Sequence, residues 1–493
     1  MEYRSGILIT TLVGIVCVVA VIVLCILNPV IHGIIDAQVQ LKPGSPAFQQ
    51  WTEPTVPIFL QFYFFNLTNP IKFLSGAKPR LQQVGPFTYR EHRYKRDVDV
   101  NQTASTIKYN DIKEYIFVRN LSVGPESEMV VNVNPVYVAV ANQISSLPSF
   151  AVRIIEMAEK HFGDQLIMQR NVSDWLWGYE DLFLNFLKSH FIPVNITRIG
   201  LYVGRNNTVD GPIVIDSGTN SRAGLGHILS YHGSPSLSCW TTHSANQING
   251  SDGSVFPPFV RSGEPIDVFA AEICRSIRFT PRGTVFVHGV SGIQYLPLED
   301  TFDSPKENPR NFGFCPRWPT CFETGALDMA TCQPGGAPIA VSMPHFTLAS
   351  RTYQDAVDGL HPSAEFNTTF YIEPMTGVVL HAAKKIQVNI NVTQNDKLRQ
   401  LSKVSTVLLP IIFVNESATL DVQLANQLRY SVVLIPLAVR IGMSVVTFFS
   451  LLILAAIGCV FIHSRWQRRH LASPSDHQET EPLLNGHSAT LVV

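Results

Sequence analysis

Two long apolar runs, one near each end of the chain, constrain its fold more than any other feature. Residues 6–27 and residues 441–462 are each 22 residues long and contain no charged side chain. With a rise of 1.5 Å per residue, a helix of this length crosses a hydrocarbon core about 30 Å thick. A signal peptide is the alternative for the first run, but its apolar core is normally about 7–15 residues long. We therefore predict two transmembrane helices.

Basic residues beside these runs predict the orientation of the chain. Arg465, Arg468 and Arg469 follow the second run, and Arg4 precedes the first run. Lysine and arginine concentrate on the cytosolic side of membrane spans, so both termini are expected in the cytosol. We divide the chain into a cytosolic N-terminus, a first span, a lumenal or extracellular domain, a second span and a cytosolic tail: residues 1–5, 6–27, 28–440, 441–462 and 463–493.

Acceptor motifs for N-glycosylation support this topology. All ten Asn-x-Ser/Thr motifs lie in the predicted central domain and none lies in the tails. A glycosylated asparagine must face the lumen or the cell exterior. The predicted glycosylation sites are Asn66, Asn101, Asn120, Asn171, Asn195, Asn206, Asn249, Asn367, Asn391 and Asn415.

Composition and motif content exclude several functions. Lysine and arginine (37) almost balance aspartate and glutamate (38), so the chain lacks the basic surplus of a nucleic-acid-binding protein. Asp216-Ser-Gly-Thr219 fits one half of an aspartic-protease site, but such enzymes need two carboxylates that share a proton, and no second copy exists. We found no other hydrolase, zinc-protease or nucleotide-binding motif. We therefore predict no catalytic residues, no metal site and no cofactor.

Five cysteines lie in the central domain, where an oxidising compartment favours disulfides. Cys315 and Cys321 could close a short loop that contains two prolines. The spacing does not fix the partners of Cys239, Cys274 and Cys332, and an odd number leaves one thiol over. Zinc is the rival explanation, but the cysteines and histidines lack ligand spacing.

The central domain has the pattern of a strand-rich fold with some helix. Alternating apolar and polar residues predict antiparallel strands at 106–109, 115–118, 130–133, 284–288 and 385–392. Helical spacing predicts a helix over 150–162 and another over 174–190, the second capped by Ser173 or Asp174. The apolar faces of these helices either pack into the core or line a site of lipid entry.

Eight ordered motifs make the chain similar to the class B scavenger receptors, over about residues 5–462. They are Phe64-Phe-Asn-Leu-Thr-Asn-Pro70, Val84-Gly-Pro-Phe-Thr-Tyr-Arg-Glu91, Leu176-Trp-Gly-Tyr-Glu-Asp181, Ile248-Asn-Gly-Ser-Asp-Gly253, Cys274-Arg-Ser-Ile-Arg278, Pro344-His-Phe346, Gly359-Leu-His-Pro362 and Ile372-Glu-Pro-Met-Thr-Gly377.

The resemblance implies an α+β fold. This fold is a large lumenal domain with an antiparallel β-barrel core and an apical helical bundle, anchored by two transmembrane helices. It also implies an apolar tunnel that passes lipid, including sterol, toward the membrane. By similarity, Cys274 pairs with Cys332 and Cys315 pairs with Cys321, while Cys239 stays free. The ligand-binding apex would comprise Phe150, Arg153, Ile154, Lys160, His161 and Phe162.

The cytosolic tail resembles that of the lysosomal integral membrane protein branch of this family. Glu479 stands four residues before Leu483 and Leu484, the acidic dileucine pattern that clathrin adaptor complexes bind. In that branch a histidine precedes the Ile-Ile-Glu of the apex helix by five residues and is implicated in carrying a hydrolase. Here Ser149 takes its place, which weakens the expectation of hydrolase carriage.

Three functions follow from the resemblance. The first is a lysosomal or late-endosomal membrane glycoprotein that binds lipid or sterol and supports the integrity of the lysosomal membrane. The second is a plasma-membrane receptor for lipoproteins, fatty acids or apoptotic material. The third is a carrier receptor for a lumenal hydrolase.

Overall fold

The structure, a computed structural model, describes residues 2–144, 147–163, 165–189, 196–333 and 337–471. The α-helices of this part of the chain are, in order, α1 (Glu2–Val39), α2 (Pro46–Thr52), α3 (Pro70–Leu74), α4 (Pro135–Ile144), α5 (Ser149–His161), α6 (Val172–Trp177), α7 (Leu182–Ser189), α8 (Arg351–Asp355), α9 (Val422–Leu428) and α10 (Ile435–Leu471).

Each predicted strand falls within an observed one apart from residues 118 and 288, and the predicted strands 106–109 and 115–118 belong to a single strand. The observed strands are β1 (Ile58–Leu67), β2 (Leu81–Asn101), β3 (Thr106–Phe117), β4 (Met129–Val133), β5 (Ile167–Asn171), β6 (Tyr179–Glu180), β7 (Arg198–Ile199), β8 (Thr208–Asp216), β9 (Ile228–Tyr231), β10 (Ile266–Ala270), β11 (Arg275–Val287), β12 (Val290–Pro297), β13 (Ala326–Asp328), β14 (Ile339–Ser342), β15 (Thr369–Ile372), β16 (Val379–Val392) and β17 (Val407–Thr419).

Thirteen of these strands form one antiparallel sheet that nearly closes on itself. The strand order is β10-β11-β12-β15-β16-β17-β1-β2-β3-β8-β9, and β13 and β14 join it through β16. A short segment spans the gap between the two edge strands: the Ile228 N–H donates to the Gly250 carbonyl, and the Phe269 N–H donates to the Ser251 carbonyl. The mixed α+β class and the large antiparallel sheet are therefore confirmed.

Gly250 shows why this seam needs glycine. Its φ is +80°, a conformation that side chains strain, and a Cβ there would lie 1.8 Å from the Asp267 carbonyl oxygen on β10. The family motif that contains Gly250 thus has a structural role, because it lets the backbone approach the edge strand.

Gly33–Val433 forms one compact unit that contains the sheet, and the terminal segments form a second unit. By length and composition, one helix of the described chain, Leu437–Arg468, is long and apolar enough to cross a membrane. This helix contains the predicted span 441–462. The predicted span 6–27 lies within α1, and its crossing of a membrane stays a prediction.

Helices α4, α5 and α6 pack on the sheet through a large apolar core that includes Val138, Val152, Leu166 and Leu176. The predicted helix over 150–162 corresponds to α5. The single helix predicted over 174–190 is wrong: Gly178, with φ +93°, ends α6, and α7 begins four residues later. The place of these helices relative to a membrane stays a prediction.

The N-terminal caps of α6 and α7 differ from the predicted ones. The Asn171 side chain, rather than Ser173 or Asp174, accepts the Asp174 N–H at 2.7 Å and caps α6. Asp181 accepts the Leu184 N–H at 2.8 Å at the start of α7. Because the helical register restarts at this second cap, Leu182 is 63% exposed instead of facing the core.

Candidate functional site

Eight charged side chains meet inside the nearly closed sheet. Glu272, which follows β10, lies 3.8 Å from Lys113 on β3 and 3.9 Å from Lys384 on β16. Because these strands are not neighbours in the sheet, the contacts can form only across its interior. We call the whole set the charged layer; it contains four acids and four bases, Glu91, Arg93, Lys95, Asp111, Lys113, Glu272, Lys384 and Glu416.

Glu416 on β17 is the centre of the charged layer. Its carboxylate accepts a hydrogen bond from Arg93 Nη2 at 3.0 Å and lies 2.8 Å from Lys384 Nζ. Arg93 Nε donates in turn to Glu91 Oε1 at 2.7 Å. Charge-assisted bonds of this length are among the stronger hydrogen bonds in proteins. The contacts with Glu272 extend the chain of ion pairs across the interior.

Mutual attraction keeps these groups ionised. Lys384 lowers the pKa of Glu272 well below its usual range, against the effect of burial. Burial alone would raise the pKa of Glu416, but Lys384 and Arg93 outweigh it and lower the pKa. Burial would lower the pKa of Lys384, yet Glu272 and Glu416 raise it. Glu272, Glu416 and Lys384 therefore stay charged in both neutral and mildly acidic surroundings.

The charged layer borders internal space. Burial acts on the pKa of its members, yet the side chains of Glu272, Lys384, Lys113 and Glu416 keep 39%, 23%, 22% and 18% of their surface accessible. Side chains that are deep in a protein and still accessible line a cavity large enough for water. Charged groups in such a cavity can contact a polar ligand.

Aromatic side chains enclose the layer on the side of the helices. Tyr115 packs against Trp177 with 5.6 Å between the ring centroids, and Phe62 packs edge-on against Tyr202 at 5.1 Å. On the other side, the Lys95 ammonium lies 4.7 Å from the centre of the Trp51 ring, a cation–π contact. The tunnel that the resemblance implies would be uniformly apolar. The interior of the sheet is not. It has a charged layer between aromatic surroundings.

An apolar cavity reaches the charged layer from one side. Part of its space is open to solvent, and its charged lining residues are Glu299, Lys384 and Lys385. Most other lining side chains are apolar, among them Val268, Ala270, Ile273, Ile277, Phe279, Met343, Leu348, Phe370 and Ile386. A cavity with apolar walls and an ammonium group in its lining suits an amphiphile.

The predicted apex residues lie on or beside α5. Phe150 is 71% exposed, and Arg153, Lys160 and His161 are also exposed; the side chain of Ile154 lies outside the described part. Phe162 is half-buried and packs on Phe186 of α7, with 4.8 Å between the ring centroids. Five of the six predicted residues thus belong to α5. Phe162, which follows the helix, packs against α7 and is only partly exposed.

The predicted glycosylation sites differ in exposure. Asn101, Asn120, Asn206 and Asn249 are exposed. The others in the described chain are half-buried: Asn66, Asn171, Asn367, Asn391 and Asn415. Asn195 lies outside the described residues, as do the sorting-signal residues Glu479, Leu483 and Leu484. Attachment of glycans at these sites stays a prediction.

The structure contains the disulfides that the resemblance implies, Cys274–Cys332 and Cys315–Cys321. Cys239 is free, and its sulfur lies within 4.8 Å of the sulfurs of Cys274 and Cys332. Three cysteines at this separation could hold a metal as thiolates. Because two of them are joined to each other, the trio does not offer that ligand set.

Sequence reasoning missed the charged layer. Glu91, Arg93 and Lys95 occupy every second position of β2, as Asp111 and Lys113 do in β3. Charged residues in this pattern are typical of a strand face that is turned to solvent. Neighbouring strands that both carry alternating charges of mixed sign were the available signal. Only the curvature of the sheet shows that this face points inward.

Known proteins resemble the chain over most of its length. The CD36 family profile matches residues 12–461. Lysosome membrane protein 2 of Mus musculus is 33% identical over 431 residues, 87% of this chain and 88% of that protein, and its Homo sapiens counterpart is 33% identical over 429 residues, with the same coverage. Scavenger receptor class B member 1 of Rattus norvegicus is 28% identical over 428 residues, 86% of this chain and 83% of that protein. The chain therefore belongs to the CD36 family, that of the class B scavenger receptors.

Proposed function

We propose that the chain is a late-endosomal or lysosomal membrane glycoprotein that binds lipid in the interior of its sheet. It passes lipid, including sterol, toward the membrane and so supports the integrity of the lysosomal membrane. Its role is that of a receptor or transporter rather than an enzyme. The observation that carries the proposal is the apolar cavity that has Lys384 among its lining residues.

The chemistry of the cavity supports binding of an amphiphile. Each CH₂ group that leaves water for apolar surroundings contributes about 0.8 kcal/mol. The raised pKa of Lys384 keeps its ammonium charged, so it can pair with a carboxylate or a phosphate.

The proposed residence rests on the relatives and on the tail. Two of the relatives are named lysosome membrane proteins. The acidic dileucine of the tail offers two apolar side chains and an upstream carboxylate to an adaptor complex: Glu479, Leu483 and Leu484. Both termini would lie in the cytosol, with residues 28–440 in the lumen.

The exposed side of α5 favours a second candidate function, capture of a lipid-bearing particle or a lumenal hydrolase. Phe150 and Met157 are 71% and 65% exposed, and Arg153 and Lys160 provide positive charge on the same helix. Apolar and basic groups together suit a particle with an anionic lipid surface. Replacing Arg153 and Lys160 with glutamate should weaken capture of such particles while lipid in the cavity stays bound.

A substitution that fills the cavity tests the lipid proposal. Ile277 lines the cavity and is half-buried, so Ile277→Trp should occupy the space with an indole ring. Val209 on β8 is 64% exposed and does not line the cavity, so Val209→Trp adds the same ring as a control. We expect Ile277→Trp to reduce transfer of labelled sterol or fatty acid to vesicles at least fivefold, and the control to keep it. Equal transfer by both folded variants would contradict the proposal.

Localisation tests the proposed residence independently of lipid binding. Replacing Leu483 and Leu484 with alanine should move the full chain from lysosomes to the cell surface. Leu491→Ala is the matched control, because it removes a leucine of the same tail outside the predicted signal. If the variant with both alanines stayed in lysosomes, the sorting claim would be contradicted. That result would not bear on lipid binding, which the transfer assay tests separately.

A further inference from the structure

The hairpin formed by β11 and β12 exposes a large aromatic side chain next to its tip. Phe286 is 71% exposed, whereas its neighbour Val287 is buried. His288 and Gly289 join the two strands, and their φ angles of +46° and +79° are those of a tight two-residue turn. Because successive side chains of a strand point to opposite faces, Phe286 faces away from the core in which Val287 is buried.

The buried face of the hairpin tip packs against α9. Val287 and Val290 belong to one apolar cluster with Ala425 of α9. Arg429, which follows α9, lies beside the turn, since a Cβ at Gly289 would be 3.4 Å from its Nη1. These contacts fix the position of the exposed ring relative to the end of α9.

Only a short stretch of chain separates α9 from the membrane-spanning candidate. The apolar helix that is long enough to cross a membrane begins at Leu437, seven residues after Tyr430. As a helix, this stretch is about 10 Å long, and even fully extended it reaches at most about 25 Å. The headgroup region on each side of a bilayer is about 5–8 Å thick. The hairpin tip is therefore tethered close to the surface of the membrane.

The composition of the hairpin suits a membrane surface. Residues 283–298 contain no lysine, arginine, aspartate or glutamate, so no such charge would lose water if the tip entered the headgroup region. Tyr430 is 63% exposed and places a second aromatic ring between α9 and the span. Tyrosine and tryptophan are enriched at membrane interfaces, and phenylalanine is typical of the apolar face of interfacial segments.

We propose that the tip of the β11–β12 hairpin enters the headgroup region of the membrane that α10 crosses, with Phe286 as its apolar anchor. Single exposed apolar side chains are common on protein surfaces, and the short connection to the span is what assigns a partner to this one. The contact attaches the domain to its own bilayer at a point outside the spans. It rests on α10 crossing the membrane and is independent of the proposed lipid transport.

Site-specific photocrosslinking of the full chain in phosphatidylcholine nanodiscs tests this contact. The photoreactive amino acid benzoylphenylalanine takes the place of Phe286, which keeps an aromatic side chain at an exposed position and so preserves the fold. After irradiation, mass spectrometry measures the fraction of the hairpin peptide that carries a phospholipid.

Ile71 on α3 is the matched control, because it is 80% exposed but lies far from α9. Ile58, at the start of β1, pairs with Ala418 near the end of β17 that leads to α9. Helix α3 follows the opposite end of β1, and a strand of ten residues is about 33 Å long. We expect at least about fivefold more lipid adduct at position 286 than at position 71, because only the hairpin reaches the headgroups.

Equal adduct fractions at the two positions would overturn the proposal. So would cross-links from position 286 to protein alone, either within the chain or to a second copy. Benzoylphenylalanine at Phe448, which is 58% exposed on α10, should carry phospholipid. If it did not, α10 would not be a span and the proposal would fail with it, while lipid transport would keep its own test.

Discussion

Replacing Glu416 with glutamine tests the charged layer most sharply. The substitution keeps the shape of the side chain and removes the charge that pairs with Arg93 at 3.0 Å and Lys384 at 2.8 Å. Removal of one partner of a buried ion pair costs about 3–5 kcal/mol, because the remaining charge is left uncompensated. Since 18% of the Glu416 side chain is accessible and two cations lose a partner, we expect a loss of about 3 kcal/mol in the free energy of unfolding.

The effect should be the same at pH 7 and pH 5. The pKa of Glu416 in the folded chain is lowered from its usual 4.5. A carboxylate with a lowered pKa contributes stability above its unfolded value, and the contribution is lost only as the pH falls through the folded value. Both test conditions lie above 4.5, so the charge is present in the folded and the unfolded chain alike.

Denaturant unfolding of the full chain in micelles, followed by tryptophan fluorescence, measures this loss. Glu264→Gln is the matched control, because Glu264 pairs with Arg261 at 3.3 Å on the surface, where both side chains are more than half exposed. An exposed pair contributes about 0–1 kcal/mol. If the two variants lost equal stability, or if Glu416→Gln lost less than about 1 kcal/mol, the layer would not be a buried network.

Three further predictions concern the fold around the site. In denaturant unfolding, Gly250→Ala should destabilise the chain more than Gly44→Ala. The two glycines have a similar φ, but a Cβ at Gly44 meets open space, so Gly44→Ala costs only the backbone strain of about 1–2 kcal/mol. Burial and His361 lower the pKa of His345 to about 4 in the folded chain, so the unfolded chain binds more protons at this residue. The contribution of His345 to the free energy of unfolding should therefore fall by about 2 kcal/mol from pH 7 to pH 5. Unfolding measured at both pH values should show that His345→Gln removes this fall. Cys332→Ala should yield a Cys239–Cys274 disulfide in non-reducing peptide mapping, since the three sulfurs lie within 4.8 Å; a free thiol at both positions would contradict the geometry.

Local patterns predicted the elements of the fold well where short-range physics decides them. Alternating side chains predicted strands that β3 and β16 contain, because each has one face toward the interior. The same reasoning failed at Gly178, where helical spacing of apolar residues continued through a residue that ends α6. A glycine with positive φ, followed by Asp181 as a new cap, ended the pattern that the spacing suggested.

Long-range features were beyond local reasoning. The charges on β2 and β3 face inward only because the sheet curves until Glu272 meets Lys113. Arg275 lies within one of the family motifs, yet its burial and its hydrogen bond to Asn311 depend on how residues 299–328 fold around it. The disulfide partners of Cys274 and Cys315 likewise came from resemblance, because the spacing alone left the pairing of Cys274 open.

Photolabelling tests the central claim, that lipid occupies the interior of the sheet, most directly. The full chain in lipid nanodiscs would be irradiated with a fatty acid that carries a diazirine on its acyl chain, and the labelled peptides would be mapped by mass spectrometry. The account predicts labels on the cavity side chains Ile277, Phe370 and Ile386, and their loss in Ile277→Trp but not in Val209→Trp. Labels confined to α1, α5 and α10, with none in the cavity, would contradict it.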